Sequence, residues 1–216
     1  MSFLNQLKTQ ARALQTQQER DDVDLQHNTA ETEQACRTIL FYLRDLAGQL
    51  NVISPAAPKF SLDGRTPWPA MKLVDFRVDS RRKMLRNKEA FEYLGMGWRI
   101  VPQIGQPVGG SVRVNFPPDL QRVESRLAMG PVKHERKDLR HPEKNTLLAY
   151  QFDYITETRG SIMIAPDHDK ALIAFRLMNA TGFDIINVSW PAAQIKSELL
   201  DELAKLIVSQ PQRFVV

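Results

Sequence analysis

Residues 54–70 divide the chain into two parts that cannot share one kind of secondary structure. This stretch, SPAAPKFSLDGRTPWPA, contains four prolines and one glycine. Because proline lacks the amide donor and restricts φ, the stretch is incompatible with a regular helix or a central strand. Apolar residues recur with a helical period before it and alternate with a period of two after it. We therefore predict a helical arm over residues 1–52, a linker over 53–70 and a β-rich body over 71–216.

The linker itself contains large apolar side chains. Phe60, Leu62 and Trp68 lie within it, and three such side chains would expose a large apolar area if the linker were surrounded by water. We therefore expect the linker to lie against the body.

The first part of the arm has apolar residues at alternating steps of three and four. These residues are Leu4, Leu7, Ala11 and Leu14. The same register is mostly polar over residues 18–32. It becomes apolar again at Ala35, Ile39, Tyr42 and Leu46. Because a helix in water gains most of its stability by burying one face, we expect the first stripe to contact a partner and the second to pack on the sheet.

Two conformations of the arm fit this pattern. One is a continuous helix of roughly 75 Å, at about 1.5 Å per residue, which pairs with another chain as a short coiled coil. The other is two helices, or one bent helix, broken between Asp21 and Thr29, with Asn28 as the N-cap of the second helix and Glu31 completing a capping box. We favour the second conformation, because a coiled coil requires three or four sustained apolar heptads.

After residue 71, short alternating segments are separated by turn residues, which is typical of an antiparallel β-meander. Strands are expected at residues 71–85 and 89–101, joined as a hairpin near Asn87, and at 111–116, 120–128, 132–139, 147–158, 161–165, 171–178 and 185–190. A final helix is expected from Ser197, as N-cap, to about Ser209, and residues 213–216 are expected to add an edge strand or fray. The predicted fold class is α+β: an N-terminal helical arm, an antiparallel β-meander of about seven to nine strands and a C-terminal helix packed on the sheet.

The composition argues against several classes of protein. No apolar run approaches the 18 residues that a membrane-spanning helix requires, and the N-terminus has no secretory signal pattern. The single cysteine, Cys36, has no internal partner for a disulfide and is expected to be a buried apolar residue. We therefore expect a cytoplasmic protein without a membrane span.

Motifs for catalysis, cofactors or metals are not recognisable. The glycine-rich residues 105–110 precede no helix, as a phosphate-binding loop would require. The group formed by His134, Glu135, His141 and Glu143 does not have the spacing of a zinc site. Residues 167–169 (Asp-His-Asp) are expected in a turn, where their side chains diverge. We predict no cofactor, no metal and no catalytic residue.

A basic cluster is predicted at the tip of the first hairpin. It consists of Arg81, Arg82, Lys83, Arg86 and Lys88. Such a cluster can bind the phosphates of nucleic acid or another polyanion, but charged hairpin tips also prevent edge pairing between sheets. The arm carries a net charge of −2 and the rest of the chain +6, which is compatible with attraction between the arm of one chain and the body of another.

Three functions follow, in this order of preference. The first is a non-enzymatic interaction protein, in which the arm mediates self-association or docking of a protein partner. The second is polyanion binding through the basic cluster. The third is a protein with a small apolar-ligand pocket, or an enzyme without a recognisable motif. Six aromatic residues could line such a pocket or form the core: Trp98, Phe116, Phe152, Tyr154, Phe175 and Trp190.

Overall fold

The computed structural model describes residues 3–215. Within the first helix, some side chains lie outside the description, namely those of Leu4, Gln6, Thr9, Gln10, Ala13, Thr16, Glu19 and Asp21.

Three α-helices and eight strands are formed by the described residues. In chain order they are α1 (Phe3–Ile53), β1 (Met71–Leu85), β2 (Lys88–Pro102), β3 (Gly109–Val114), α2 (Pro117–Met129), β4 (His134–Arg140), β5 (Leu147–Ile155), β6 (Thr158–Asp167), β7 (Leu172–Met178), β8 (Ile185–Pro191) and α3 (Ser197–Ile207). A short 3-10 helix, Ala192–Gln194, leads from β8 into α3. The predicted α+β class, with antiparallel strands and a C-terminal helix, is confirmed.

Helix α1 runs without a break from Phe3 to Ile53, so, of the two forms favoured for the arm, the pair of helices broken between Asp21 and Thr29 is wrong. Asn28 is not an N-cap but lies inside the helix, and its side-chain amide donates a hydrogen bond of 2.7 Å to the carbonyl of Asp169. The hydroxyls of Thr29 and Thr32 each donate to the carbonyl four residues earlier, at 2.7 Å. The polar residues of the middle thus bond to the helix backbone or to the body, and the helix continues through them.

The second half of α1 forms part of the core, as predicted. Ile39 and Leu43 are fully buried, and Leu40 and Leu46 pack against the same cluster with partial exposure. Their spacing of three and four residues places them on one face of the helix, and this face contacts β1 and β2.

The linker lies against the body. Phe60, Leu62 and Trp68 are buried, as expected from their size, and the indole of Trp68 stacks on the ring of Tyr154 with a centroid distance of 5.7 Å. The linker residues therefore extend the core from the helix to the strands.

A tight turn in the linker is organised by Asp63. Its carboxylate accepts hydrogen bonds from the backbone amides of Arg65 at 2.8 Å and Thr66 at 2.7 Å. Burial raises the pKa of Asp63, but these amide hydrogen bonds, together with those from the hydroxyls of Thr66 and Ser61, outweigh burial and lower the pKa to about 2.

The eight strands form two antiparallel sheets. One has five strands in the order β1-β2-β6-β7-β8, and the other has three in the order β3-β5-β4. Strands β1 and β2 form a long hairpin whose turn residues, Arg86 and Asn87, have φ angles of 49° and 62°. Asparagine tolerates this left-handed conformation, and the predicted turn near Asn87 is confirmed.

Helix α2 replaces a predicted strand, so the prediction of a strand over residues 120–128 is wrong. Val123 and Leu127 are buried and lie four residues apart, a spacing that fits one face of a helix as well as one face of a strand. Pro117 and Pro118 open the helix, where their missing amides would have no intrahelical partner.

Helix α3 lies beside α1 on the five-stranded sheet. Its buried residues are Leu200, Leu203, Leu206 and Ile207, and Tyr42 of α1 donates a hydrogen bond of 2.7 Å to Asp201 of α3. The N-cap of α3 is Lys196, so the prediction of Ser197 as the N-cap is wrong. No helix among the described residues combines the length and the apolar character that crossing a membrane requires.

The end of the chain differs from the prediction of an edge strand or a frayed end. Phe214 is fully buried, and its ring packs edge-to-face on Phe175 with a centroid distance of 5.2 Å. Residue 216 lies outside the described part of the chain.

The two faces of the five-stranded sheet differ in their surroundings. One face carries buried side chains, such as Leu94, Ile162 and Phe175, beneath α1 and α3. The other face, which we call the open face, carries mostly exposed side chains and glycines. Its central residues are Arg77, Gly97, Arg99, Arg159, Ser161, Met163, Ala174 and Arg176.

Candidate functional site

The first half of α1 is exposed along most of its length. We call residues 3–27 the N-terminal segment; Asn28, which directly follows it, donates a hydrogen bond to the body. Its described side chains are exposed, except for Leu25, which is half-buried. At about 1.5 Å per residue, the N-terminal segment is roughly 37 Å long.

The N-terminal segment exposes large apolar side chains. Phe3, Leu14 and Val23 are 74%, 65% and 64% exposed, and Leu7 is also exposed. Of the four residues predicted to bind a partner, Leu7, Ala11 and Leu14 therefore lie on the surface, whereas the side chain of Leu4 lies outside the described residues. A helix with one apolar face in water has the form of half of an interface.

The tip of the β1–β2 hairpin holds α1 at the point where the helix meets the body. The guanidinium of Arg86 donates a hydrogen bond of 2.8 Å to the hydroxyl of Thr29 and forms an ion pair with Asp169. Asn28 donates to the carbonyl of the same Asp169. These contacts fix the direction in which the N-terminal segment leaves the body.

A buried polar cluster forms a second attachment one turn further along. Glu33 is only 8% exposed, and its Oε1 accepts a hydrogen bond of 2.6 Å from the amide of Phe91 in β2. The Nε2 of buried His168 lies 2.8 Å from the carbonyl of Phe91, so this nitrogen carries the proton and donates it. The guanidinium of Arg82 lies 4.0 Å from Glu33 Oε2 and 4.2 Å from the centroid of the Phe91 ring. Sequence reasoning missed this cluster, since its members are far apart in the chain.

Most of the basic cluster is engaged within the protein. Arg81 pairs with Glu92 at 3.1 Å, Arg82 faces Glu33, and Arg86 is bonded to α1. Lys83 and Lys88 are exposed and pair with no described residue. Two lysines thus remain for the predicted polyanion, and binding of nucleic acid at this tip stays a prediction.

The other residues considered for chemistry have local structural roles. His134 Nδ1 contacts the carbonyl of Val132 at 2.8 Å, and His141 Nδ1 accepts hydrogen bonds from the amides of the next turn. Burial and, to a smaller extent, the nearby Glu33 raise the pKa of the Cys36 thiol to about 12, so the reactive thiolate is disfavoured. Among the described side chains, histidines, cysteines and carboxylates do not form a group that could hold a metal ion.

The aromatic residues considered for a pocket mostly belong to the core. Trp98, Phe152, Tyr154 and Phe175 are buried, and Trp190 packs against the core with partial exposure. Phe116 is exposed instead, next to the start of α2.

The open face contains a groove of about 540 Å³ that sequence reasoning missed. Its walls include Arg77, Arg99 and Arg159, and its floor includes Gly97 and Gly160. These residues come from three strands and are brought together only by the register of β1, β2 and β6.

Comparison of the chain with models of protein families, with characterised proteins and with solved structures found no significant match.

Proposed function

We propose that this protein is a cytoplasmic, non-enzymatic interaction protein that joins two copies of itself through the N-terminal segment of α1. The observation that carries the proposal is the helical N-terminal segment, which exposes Leu7 and Leu14 ahead of the point where Asn28 bonds to the body. Self-association of this kind would hold two bodies at a set separation.

Packing energetics favour a partner for the N-terminal segment. A helix in a protein owes most of its stability to the packing of an apolar face and less to helix propensity. Fully burying one leucine side chain contributes about 1.5–3 kcal/mol. Burial of Leu7 and Leu14 against another helix would therefore stabilise both the contact and the helix.

A second copy of the chain is the partner that the charges favour, in an antiparallel arrangement. The only charged side chains of residues 3–18 are Lys8 and Arg12, whereas residues 19–24 carry four carboxylates and one arginine. A parallel pair would place acidic segment beside acidic segment. An antiparallel pair places the basic end of each helix beside the acidic segment of the other, which is favourable.

The heptad positions define the register of this pair. In an antiparallel pair that aligns the stripe of one helix with that of the other, Leu7 lies opposite Leu25 and Leu14 lies opposite Gln18. Lys8 then lies beside Asp22 of the second copy. Leu25 is half-buried in the isolated chain, so its exposed part is available for this contact.

Sedimentation-velocity ultracentrifugation of the full chain tests the proposal. We expect a concentration-dependent dimer, and we expect Leu7→Glu with Leu14→Glu to weaken dimerisation at least about 100-fold, since burial of four leucines is lost per dimer. Val23→Glu is the matched control, because Val23 is exposed but lies on the outer side of the heptad. The control should dimerise like the unmodified protein.

Substitutions are preferable to deletion of residues 1–52. That deletion would also remove Ile39 and Leu43, which are part of the core, so loss of assembly would not be distinguishable from unfolding. A monomer at all concentrations, or equal dimerisation of the double variant, would contradict the proposal.

A further inference from the structure

The groove on the open face is built by two rows of directly paired residues. Arg77 pairs with Gly97 across β1 and β2, and Gly97 pairs with Ser161 across β2 and β6. In the next row on the same face, Arg99 pairs with Arg159. Because paired residues of neighbouring strands point to the same face, all three arginines project into the space above Gly97.

The geometry allows the guanidiniums of Arg77 and Arg159 to reach a common point. Strands lie about 4.8 Å apart and rise about 3.4 Å per residue, so the two Cα atoms are separated by roughly 12 Å. Gly97 lies between them and has no side chain. If a Cβ were added there, its nearest contact would be the carbonyl of Gly160 at 3.9 Å, so the space above Gly97 is open.

The arginines of the groove differ in how their charge is compensated. Arg99 is held by Asp75 at 2.9 Å and by Glu157 at 2.8 Å. In contrast, Arg77 and Arg159 are exposed, and their guanidiniums form no ion pair or hydrogen bond with any described residue. The three guanidiniums and the two carboxylates on Arg99 together leave a net charge of +1, and the guanidiniums of Arg77 and Arg159 are the two without a carboxylate partner.

We propose that this groove binds a small ligand through a phosphate or diphosphate group, held by Arg77 and Arg159 above Gly97. One guanidinium can occupy both oxygens of a carboxylate, whereas a diphosphate offers enough oxygens for two guanidiniums to bind in bidentate fashion. The groove volume of about 540 Å³ lies within the range of about 300–1,000 Å³ that small-molecule sites occupy.

The groove fits a small ligand better than a nucleic-acid strand. Recognition of single strands relies on exposed aromatic rings that stack on the bases. Among the described residues that line this groove, the one aromatic residue is Trp98, which is buried and stacked on Phe76 with a centroid distance of 5.6 Å. Binding in the groove is therefore expected to depend on the anionic group and not on base stacking.

Isothermal titration calorimetry of the full chain with inorganic pyrophosphate at low ionic strength tests the site. We expect a dissociation constant between about 10 µM and 1 mM, since only two charge-assisted arginine contacts hold the ion. Arg77→Ala with Arg159→Ala should weaken binding at least about tenfold. Arg176→Ala is the matched control, because Arg176 is also exposed and unpaired on the open face but lines a different depression.

A second variant tests the location without removing a charge. Gly97→Leu would fill the space between the guanidiniums and should abolish pyrophosphate binding while thermal unfolding shows that the variant is folded. The proposal is overturned if no binding of pyrophosphate is detected at about 10 mM. It is also overturned if both groove variants bind pyrophosphate as tightly as the unmodified chain.

Two further titrations separate the ligand classes. Succinate should bind at least about tenfold more weakly than pyrophosphate, and equal binding would overturn the assignment to phosphate. A single-stranded oligonucleotide that binds more tightly than pyrophosphate and is released by the same two variants would overturn the choice of a small ligand.

Discussion

Removal of the Glu33 carboxylate should weaken the attachment of α1 to the hairpin. Glu33 is the buried carboxylate that joins the helix to β2, through the hydrogen bond of 2.6 Å from the Phe91 amide to its Oε1. Its second oxygen is buried without a hydrogen-bond partner and has only the Arg82 guanidinium nearby, at 4.0 Å. The substitution Glu33→Ala therefore removes one good hydrogen bond and one incompletely compensated charge.

The expected magnitude follows from two costs and one gain. A buried amide left without an acceptor costs about 1–3 kcal/mol, and loss of the one methylene that Glu has beyond Ala adds about 0.8 kcal/mol. Relief of the unpaired oxygen returns roughly 1 kcal/mol. We expect Glu33→Ala to lower the free energy of unfolding by about 2 kcal/mol, which for a chain of this size corresponds to roughly 4–8 °C in Tm.

Urea unfolding followed by circular dichroism measures this change, with two comparison variants. Glu33→Gln keeps an oxygen acceptor for the Phe91 amide, so it should cost less than about 1 kcal/mol. Gln34→Ala lies next to it on the exposed side of α1 and should be neutral or slightly stabilising. If Glu33→Ala costs less than about 0.5 kcal/mol, or if Glu33→Gln costs as much as Glu33→Ala, the hydrogen bond does not have the role assigned to it.

Three further predictions concern the body. A Cβ at Gly160 would lie 2.2 Å from the indole Nε1 of Trp98, so Gly160→Ala should destabilise the fold by about 1–3 kcal/mol in urea unfolding. Gly97→Ala should cost less than about 1 kcal/mol. Equal effects of the two substitutions would contradict the packing described. Cys36 should resist iodoacetamide at pH 8 in the folded protein and react once it is unfolded in guanidinium, as detected by mass spectrometry, because burial raises the thiol pKa to about 12; rapid labelling of the folded protein would refute its burial. The pKa of Asp63 is lowered in the folded state from 3.8 to about 2, so its contribution to stability is present above pH 4 and is lost as the pH falls through 2. The difference in unfolding free energy between the unmodified chain and Asp63→Asn should therefore shrink over that interval. A difference that does not change with pH would refute the role of the Asp63 carboxylate in the turn.

Much of the fold could be predicted from periodicity, because burial of one face imposes a repeat on the sequence. The change from a helical to a strand repeat around the prolines correctly separated α1 from the sheet, and Asn87 correctly located the first hairpin turn. The strand predicted over residues 120–128 failed because a spacing of four residues between Val123 and Leu127 satisfies both repeats.

Other features depend on contacts that no local pattern contains. The continuity of α1 could not be predicted because Asn28 looks like a cap, and its partner, Asp169, is distant in sequence. The groove could not be predicted because Arg77, Arg99 and Arg159 lie on three strands, and only the strand register brings them together. The basic cluster was visible in the sequence, but the carboxylates that pair with its arginines were not assigned.

The antiparallel pairing of two N-terminal segments can be measured directly by double electron–electron resonance on full-length protein. Spin labels are attached at Gln15→Cys or at Phe3→Cys, while the buried Cys36 remains unlabelled. With helices about 8–10 Å apart and a rise of about 1.5 Å per residue, labels at position 15 should lie within about 20 Å of each other and labels at position 3 about 40 Å apart. A short distance at both positions would indicate a parallel pair. The absence of any intermolecular distance at either position would contradict self-association through the N-terminal segment.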